Sequence, residues 1–121
     1  MTNATDPRPT TYAEADAILD GKTERRIGHN TTLRLWDHYP DGGGESSIAV
    51  IFHKTHIAVF SSEGYTTLRS DGFQTATTKE RINRYLPKGV GLYQKDWTWY
   101  VSTPNDDDRE FCEGFMIQSV Q

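Results

Sequence analysis

A run of hydroxyl, basic and amide side chains surrounds the start of the helix that the sequence predicts most clearly. Its members recur at every second position, and each can donate a hydrogen bond to an oxyanion: Thr75, Thr77, Lys79, Arg81 and Asn83. The first residues of a helix also present unpaired backbone N–H groups and a partial positive charge, which suit a phosphate. Charged donors shorten and strengthen such hydrogen bonds. The run therefore predicts a site for an anionic ligand, either a nucleic acid or a nucleotide-like molecule.

Two triplets of the form His-x-Thr indicate an alternative chemistry. His29-Asn30-Thr31 and His53-Lys54-Thr55 have the pattern of two-histidine phosphoesterases, in which each histidine exchanges a proton and each threonine helps to hold the phosphate. Those enzymes have paired lobes with an internal repeat, which this sequence lacks. We therefore keep a phosphodiesterase as an alternative without assigned catalytic residues, and we add His53 and Thr55 to the predicted anion site.

Other kinds of site lack the residues that they require. The sequence has no glycine-rich loop of the Walker or dinucleotide-binding type, and Cys112 has no base beside it in the sequence. The acidic run Asp106-Asp107-Asp108 lacks the alternating ligands and the glycine of a calcium loop. We therefore expect no metal site and no cofactor. That acidic run, with the aromatic side chains of Trp97, Trp99 and Tyr100, leaves a further alternative, which is inhibition of another protein by direct binding.

Length, cysteine content and net charge constrain the domain organisation and the partners of the protein. The chain has 121 residues, one cysteine and a formal net charge of -4, so a single domain can bury a core without disulfides. That net charge argues against attraction of nucleic acid over the whole surface. The longest apolar stretch, Ile48 to Phe52, is far too short to cross a bilayer. We expect a flexible arm over residues 1–10, one domain over residues 11–121, a cytoplasmic location and no membrane partner; no pattern specifies an oligomeric state.

The predicted anion site depends on a short helix with defined ends. Thr77 and Glu80 have the spacing of a capping box, which predicts that the helix begins near Thr78. Pro87 disfavours helical geometry at the residue before it and so ends the helix. Glu80 and Arg84 are spaced as an i,i+4 ion pair. Four residues fall on one face and should pack on a sheet: Thr78, Ile82, Tyr85 and Leu86.

The remaining chain supplies a second helix and the strands of that sheet. A capping box at Thr11 predicts a helix from Tyr12 to Asp20. Apolar and polar residues alternate at residues 31–38, and residues 47–53 are apolar on both faces, so both segments are predicted strands. Further strands are predicted at residues 56–60, 65–69, 90–93, 97–101 and 111–120. We expect a hairpin loop at residues 39–44, loops at residues 22–30 and 103–109, and a two-residue turn at Lys54-Thr55 that pairs His53 with His56.

Together these elements predict an α+β domain. Its sheet should be mainly antiparallel with six to seven strands, formed by an N-terminal meander, a C-terminal hairpin and a final strand, with two short helices packed on it.

Two segments also carry a resemblance to known sequences. They are Ile48-Ala49-Val50 with Phe52-His53-Lys54-Thr55, and the stretch from Asp71 to Asn83, read DGFQTATTKERIN. These segments resemble a group of small bacteriophage proteins of the actinobacteriophage type, in which L-H-x-T ends a strand and G-G-W-x-T-x-T-T-K-x-R-x-N follows. Gly72-Phe73 stands here for the Gly-Trp of that group. The resemblance implies a phage accessory protein in the host cytoplasm, with a host protein as the partner in the inhibitor alternative, and it implies no activity.

Overall fold

Two helices and nine strands make up the described part of the chain, which in this computed structural model comprises residues 7–37, 46–104 and 106–118. The elements in chain order are α1 (Tyr12–Leu19), β1 (Glu24–Gly28), β2 (Thr31–Asp37), β3 (Ser46–Phe52), β4 (Thr55–Ser61), β5 (Tyr65–Leu68), α2 (Ala76–Asn83), β6 (Gly91–Lys95), β7 (Thr98–Thr103), β8 (Asp106–Glu110) and β9 (Phe115–Gln118). These elements confirm the predicted α+β class. The hairpin loop predicted at residues 39–44 lies outside the described residues, as does most of the predicted arm.

The strands form two antiparallel sheets. The larger has the order β1-β2-β3-β4-β5-β9, and the smaller, called the small sheet below, has the order β6-β7-β8. A meander from β1 to β5 builds most of the larger sheet, and β9 returns to pair with β5. The predicted mainly antiparallel sheet of six to seven strands is confirmed by the six strands of the larger sheet. The C-terminal hairpin, predicted as part of that sheet, lies instead in the separate small sheet.

Two strands that the sequence did not reveal lie at sheet edges. β1 and β8 coincide largely with residues 22–30 and 103–109, which were predicted as loops. β8 reads DDDRE and is exposed along its whole length, and β1 buries only Ile27. An edge strand can carry charged side chains on both faces. The alternation of apolar and polar residues that marks a half-buried strand is therefore missing from both segments.

The turn between β3 and β4 lies one residue earlier than predicted. His53 and Lys54 form the turn, so Phe52 pairs with Thr55 and Ile51 pairs with His56. The prediction that His53 faces His56 across the hairpin is therefore wrong. His53 has a φ of 57°, in the left-handed region that tight hairpin turns use.

Helix α2 begins at Ala76, two residues before the start predicted near Thr78. The side chain of Thr75 caps the helix, and its Oγ1 accepts a hydrogen bond of 3.1 Å from the N–H of Thr78. Thr75 caps the N–H of the residue three positions later, just as Thr77 was predicted to cap that of Glu80. The chain therefore uses the earlier of the two threonines as its cap. Glu80 pairs with Arg84 as predicted, with 2.6 Å between Oε2 and Nε.

Both helices and both sheets share one hydrophobic core. The buried cluster includes Ala15 and Leu19 of α1 and a larger set from the two sheets: Leu33, Ile48, Val50, Phe60, Leu68, Leu92, Trp99 and Val101. The predicted packing face of α2 and the residues after it is confirmed, because Thr78, Ile82, Tyr85 and Leu86 are all buried. The core therefore fixes α2 against the larger sheet and the small sheet at once. Neither helix in the described ranges is long and apolar enough to span a membrane.

Candidate functional site

A cleft of about 470 Å³ lies between the β3–β4 turn and the start of α2. The turn side contributes Phe52, His53, Lys54 and Thr55, and the helix side contributes Phe73, Thr75, Thr77 and Thr78. This volume is typical of sites for small ligands. Four of the residues predicted for an anion site therefore line one cleft, although His53 and Thr55 are far in sequence from Thr75 and Thr77.

The turn side of the cleft is held by a neighbouring turn. The N–H of His53 donates a hydrogen bond of 2.8 Å to the carbonyl of Asn30, which lies between β1 and β2. The His53 ring lies 4.4 Å from the ring of Phe52, and Phe52 and Thr55 are both buried. Phe52 and Thr55 therefore contribute a fixed wall, from which His53 and Lys54 extend into solvent.

The helix side begins with a loop that we call the Phe73 loop, residues 70–75. Within it, the N–H of Phe73 donates to the carbonyl of Ser70, and the N–H of Thr75 donates to the carbonyl of Phe73, each at 2.9 Å. The Glu113 carboxylate accepts from the N–H of Ser70 at 2.7 Å, from the N–H of Asp71 at 2.9 Å and from the Ser70 hydroxyl. These bonds connect the loop to the segment before β9.

The hydrogen bonds to Glu113 also change its acidity. Partial burial of the carboxylate by itself raises the pKa of Glu113, but the hydrogen bonds from the Ser70 hydroxyl and from backbone N–H groups of the Phe73 loop outweigh it. The net result is a pKa for Glu113 below its usual value. The ionised form of Glu113 is therefore the one that holds the loop.

Arg81 lies behind the cleft. The residue is only 7% exposed, and Nη1 donates hydrogen bonds of 2.9 Å to the carbonyl of His29 and to Oγ1 of Thr31. The guanidinium carbon is 4.7 Å from the centre of the Phe52 ring, so Arg81 packs against a residue of the cleft wall. The sequence predicted Arg81 as a donor of the anion site, whereas its guanidinium is buried behind the cleft wall.

The charge of Arg81 is only partly compensated. Its Nε is buried and makes no hydrogen bond within the described residues. The Nε atom lies 3.7 Å from Oε1 of Glu80, whose other oxygen already accepts from Arg84 at 2.6 Å. Because a buried charge is weakly screened, Arg81 gives the Phe52 side of the cleft a positive potential.

The two other predicted site residues face the small sheet. The Asn83 side chain donates to the carbonyl of Leu92 and accepts from the N–H of Leu92, both at 2.8 Å. Lys79 Nζ is 3.5 Å from Oε1 of Gln94. Neither Lys79 nor Asn83 lines the cleft. Their contacts connect α2 to β6.

Sequence reasoning missed four residues that line the cleft: the buried Phe52 and Thr78, and the exposed Lys54 and Phe73. Lys54 was assigned to a turn, yet that turn forms one side of the cleft. The ring of Phe73 is 62% exposed, which no amphipathic pattern could indicate because Phe73 lies in a loop. A large apolar residue directly after the turn signal Asp71-Gly72 was the available clue.

The acidic and aromatic residues form a second surface on the small sheet. Trp97 is 90% exposed and has a φ of 69°, in a turn between β6 and β7. The rings of Tyr93 and Tyr100 stack at 5.7 Å, and the Tyr93 hydroxyl donates to Asp108. That hydrogen bond, with burial and the charge of Asp108 as smaller causes, raises the pKa of Tyr93. Within the described ranges, no group of three or more His, Cys, Asp or Glu side chains could hold a metal ion.

Comparison with known proteins identifies the family. No curated protein and no solved structure matches the chain. The sequence model of a bacteriophage family, described as Kyanoviridae Gp96 protein, matches residues 8–118. The match includes both sides of the cleft and the small sheet, and it confirms a phage origin. The chain therefore belongs to the Kyanoviridae Gp96 protein family.

Proposed function

We propose that this phage protein is a non-catalytic binding module for an anionic ligand, a nucleic acid or a nucleotide-like molecule, held in the cleft at the start of α2. The observation that carries the proposal is the composition of the cleft. Lys54 and the hydroxyl residues Thr75 and Thr77 line it, and the partly compensated charge of Arg81 lies behind its wall. A cation, hydroxyl groups and a positive potential together favour an anion.

The positions of the histidines favour binding over hydrolysis. His53 lines the cleft, whereas His29 lies in the turn between β1 and β2 and is not among the lining residues. A phosphodiesterase of the two-histidine type needs both imidazoles at one phosphate. The phosphodiesterase alternative is therefore the weaker proposal, and an absence of turnover on cyclic nucleotides and RNA would end it.

The proposal predicts that Lys54 contributes to affinity and that a remote lysine does not. At low salt, Lys54→Ala should weaken the binding of short labelled nucleic acids and nucleotides by roughly 5- to 10-fold, since one charge-assisted contact is lost. Lys22→Ala, at an exposed site between α1 and β1, should leave binding unchanged. Fluorescence anisotropy measures both. Equal affinities for the two variants, or no binding by the wild-type protein, would reject the proposal.

A second candidate function is inhibition of a host protein through the surface around Trp97. The observation that favours it is a bulky, almost fully exposed side chain at a left-handed backbone position, where glycine or asparagine is the ordinary choice. Exposed tryptophans are frequent anchors of protein interfaces.

The inhibitor proposal predicts a host partner that depends on Trp97. A pull-down from nuclease-treated host lysate should retain one stoichiometric protein with the wild type and lose it with Trp97→Gly, which relieves the backbone strain. Retention of the same protein by both forms would exclude Trp97 as the anchor.

The setting of this function is also a proposal. We infer that the protein acts in the cytoplasm of the infected bacterium, in line with its phage family. The narrower actinobacteriophage resemblance stays a prediction. Fractionation of infected cells, with detection of the protein in the host's soluble fraction, tests the location.

A further inference from the structure

The ring of Phe73 offers a flat apolar face at the cleft. Single exposed apolar side chains are common on protein surfaces, so exposure alone has no functional meaning. Here the exposed ring lines a cleft together with Phe52, and two backbone hydrogen bonds plus Glu113 fix the loop that carries it. An aromatic face that is already in position loses little freedom when a second ring stacks on it.

The single lysine among the described residues of the cleft is suited to one phosphate. Lys54 is the lysine among the described lining residues, and the exposed Thr77 offers a hydroxyl on the helix side. The Thr75 hydroxyl is already used within the helix cap, where it donates to Oγ1 of Thr78 at 3.1 Å. A duplex is bound through many phosphates, and its bases are stacked inside the helix, where Phe73 cannot reach them. A triphosphate is ordinarily bound by a glycine-rich loop and a metal ion, and the described residues that line the cleft include no glycine.

We infer that the cleft takes a single unpaired nucleotide, with its base stacked on Phe73 and its phosphate beside Lys54 and the Thr77 hydroxyl. This inference rests on the proposed anion-binding function and adds the ring and the number of phosphates to it. The shared chemistry is an unstacked base that carries one phosphate. It can come from a single strand of nucleic acid or from a free mononucleotide.

The test compares ligands that differ in one feature. Fluorescence anisotropy follows a labelled six-nucleotide thymidine strand, an abasic strand of the same length, a hairpin duplex, and thymidine monophosphate as an unlabelled competitor. The thymidine strand should bind roughly 10-fold or more tightly than the abasic strand, since stacking on an aromatic side chain contributes at that scale. The duplex should bind more weakly than the strand. The salt dependence should correspond to about one phosphate, a slope near -0.7 for a single strand.

Matched variants of Phe73 separate stacking from charge. Phe73→Ala should weaken binding of the thymidine strand by roughly 10- to 100-fold and leave binding of the abasic strand unchanged. Phe73→Trp should retain binding, because it keeps an aromatic face. Both substitutions are at an exposed side chain, so the melting temperature should stay within a few degrees of the wild type and serves as the folding control.

The outcomes distinguish this inference from the function on which it rests. Equal binding of thymidine and abasic strands, with Lys54→Ala still harmful, overturns the stacked base but retains the anion site. Duplex bound as tightly as the strand also overturns it. Absence of binding by every ligand overturns both proposals. Competition by thymidine monophosphate at equal concentration identifies a free nucleotide as the source, and binding only of the strand identifies nucleic acid.

Discussion

Arg81 shows how one buried side chain supports the cleft and sets its charge. Its Nη1 joins α2 to the turn between β1 and β2 through His29 and Thr31, and its guanidinium packs on Phe52. The neighbouring turn holds His53 by a backbone hydrogen bond. Arg81 therefore connects the helix side of the cleft to the turn side. In the proposed anion site, its positive charge would act through the Phe52 wall rather than by contact.

Replacement of Arg81 should lower both stability and anion affinity. Arg81→Met keeps the length of the side chain but leaves the buried oxygen of Thr31 without its donor, which costs roughly 1–3 kcal/mol of unfolding free energy. Arg81→Lys keeps the charge but lacks the planar donor geometry, so it should lose stability and retain more of the anion affinity than the methionine variant does.

Chemical denaturation and binding measurements on the same proteins check this prediction. Arg84→Met is the matched control, because the partner of Arg84 is the largely exposed Glu80 and a surface pair of this kind contributes only a few tenths of a kcal/mol. If Arg81→Met were no less stable than Arg84→Met, Arg81 would not hold the cleft together.

At the scale of elements, hydrogen bonds join the Phe73 loop to the segment before β9. Glu113 accepts two backbone N–H groups and one hydroxyl from the start of the loop. Since Gly114 and Phe115 follow directly, and Phe115 pairs with Leu68 at the end of β5, the C-terminal strand brings Glu113 to the loop. Correct placement of Phe73 therefore depends on a pairing between residues more than forty positions apart.

The contribution of Glu113 to stability should depend on pH. Its pKa is lowered by folding, so the contribution is present above the unfolded value near 4.3 and is lost as pH falls through the lower folded value. Glu113→Gln should cost about 1 kcal/mol at pH 7, at the low end for charged hydrogen bonds because Glu113 is exposed. The difference from the wild type should shrink steadily below pH 4.

Urea denaturation from pH 3 to pH 7 measures that difference. Glu110→Gln provides the control, because Glu110 is an exposed residue of the edge strand β8, where substitutions usually change stability by less than 0.5 kcal/mol in either direction. A cost of Glu113→Gln that stayed constant across this pH range would show that the carboxylate charge is not what holds the loop.

At the level of elements, the helical spacing of the predicted site residues already places them on two different faces of α2. Residues two apart on a helix point in different directions, whereas residues four apart share a face. Thr77 and Arg81 therefore share one side of α2, near the cleft, and Lys79 and Asn83 share another, facing the small sheet. The sequence supports two contact faces here, and the helical period separates them.

For the whole molecule, the sequence predicted the elements whose apolar residues are buried in a regular pattern. The apolar runs of β3 and β4 and the face formed by Ile82 and Tyr85 specify the larger sheet and the helix on it, since burial of such runs drives folding. The edge strands β1 and β8 lack that signal. The cleft itself could not be predicted, because it depends on the one-residue position of the β3–β4 turn and on the long-range contact at Glu113.

The hydrogen bonds between Asn83 and Leu92 lie at one edge of the small sheet. The Asn83 carboxamide gives Leu92 one donor and one acceptor, as a neighbouring strand would, and so occupies the outer edge of β6. The opposite edge, β8, carries a row of exposed carboxylates, Asp106, Asp107, Asp108 and Glu110, which repel an identical strand. Both edges of the small sheet therefore carry a feature that opposes the addition of an identical strand: the Asn83 side chain at Leu92 of β6, and the carboxylates of β8.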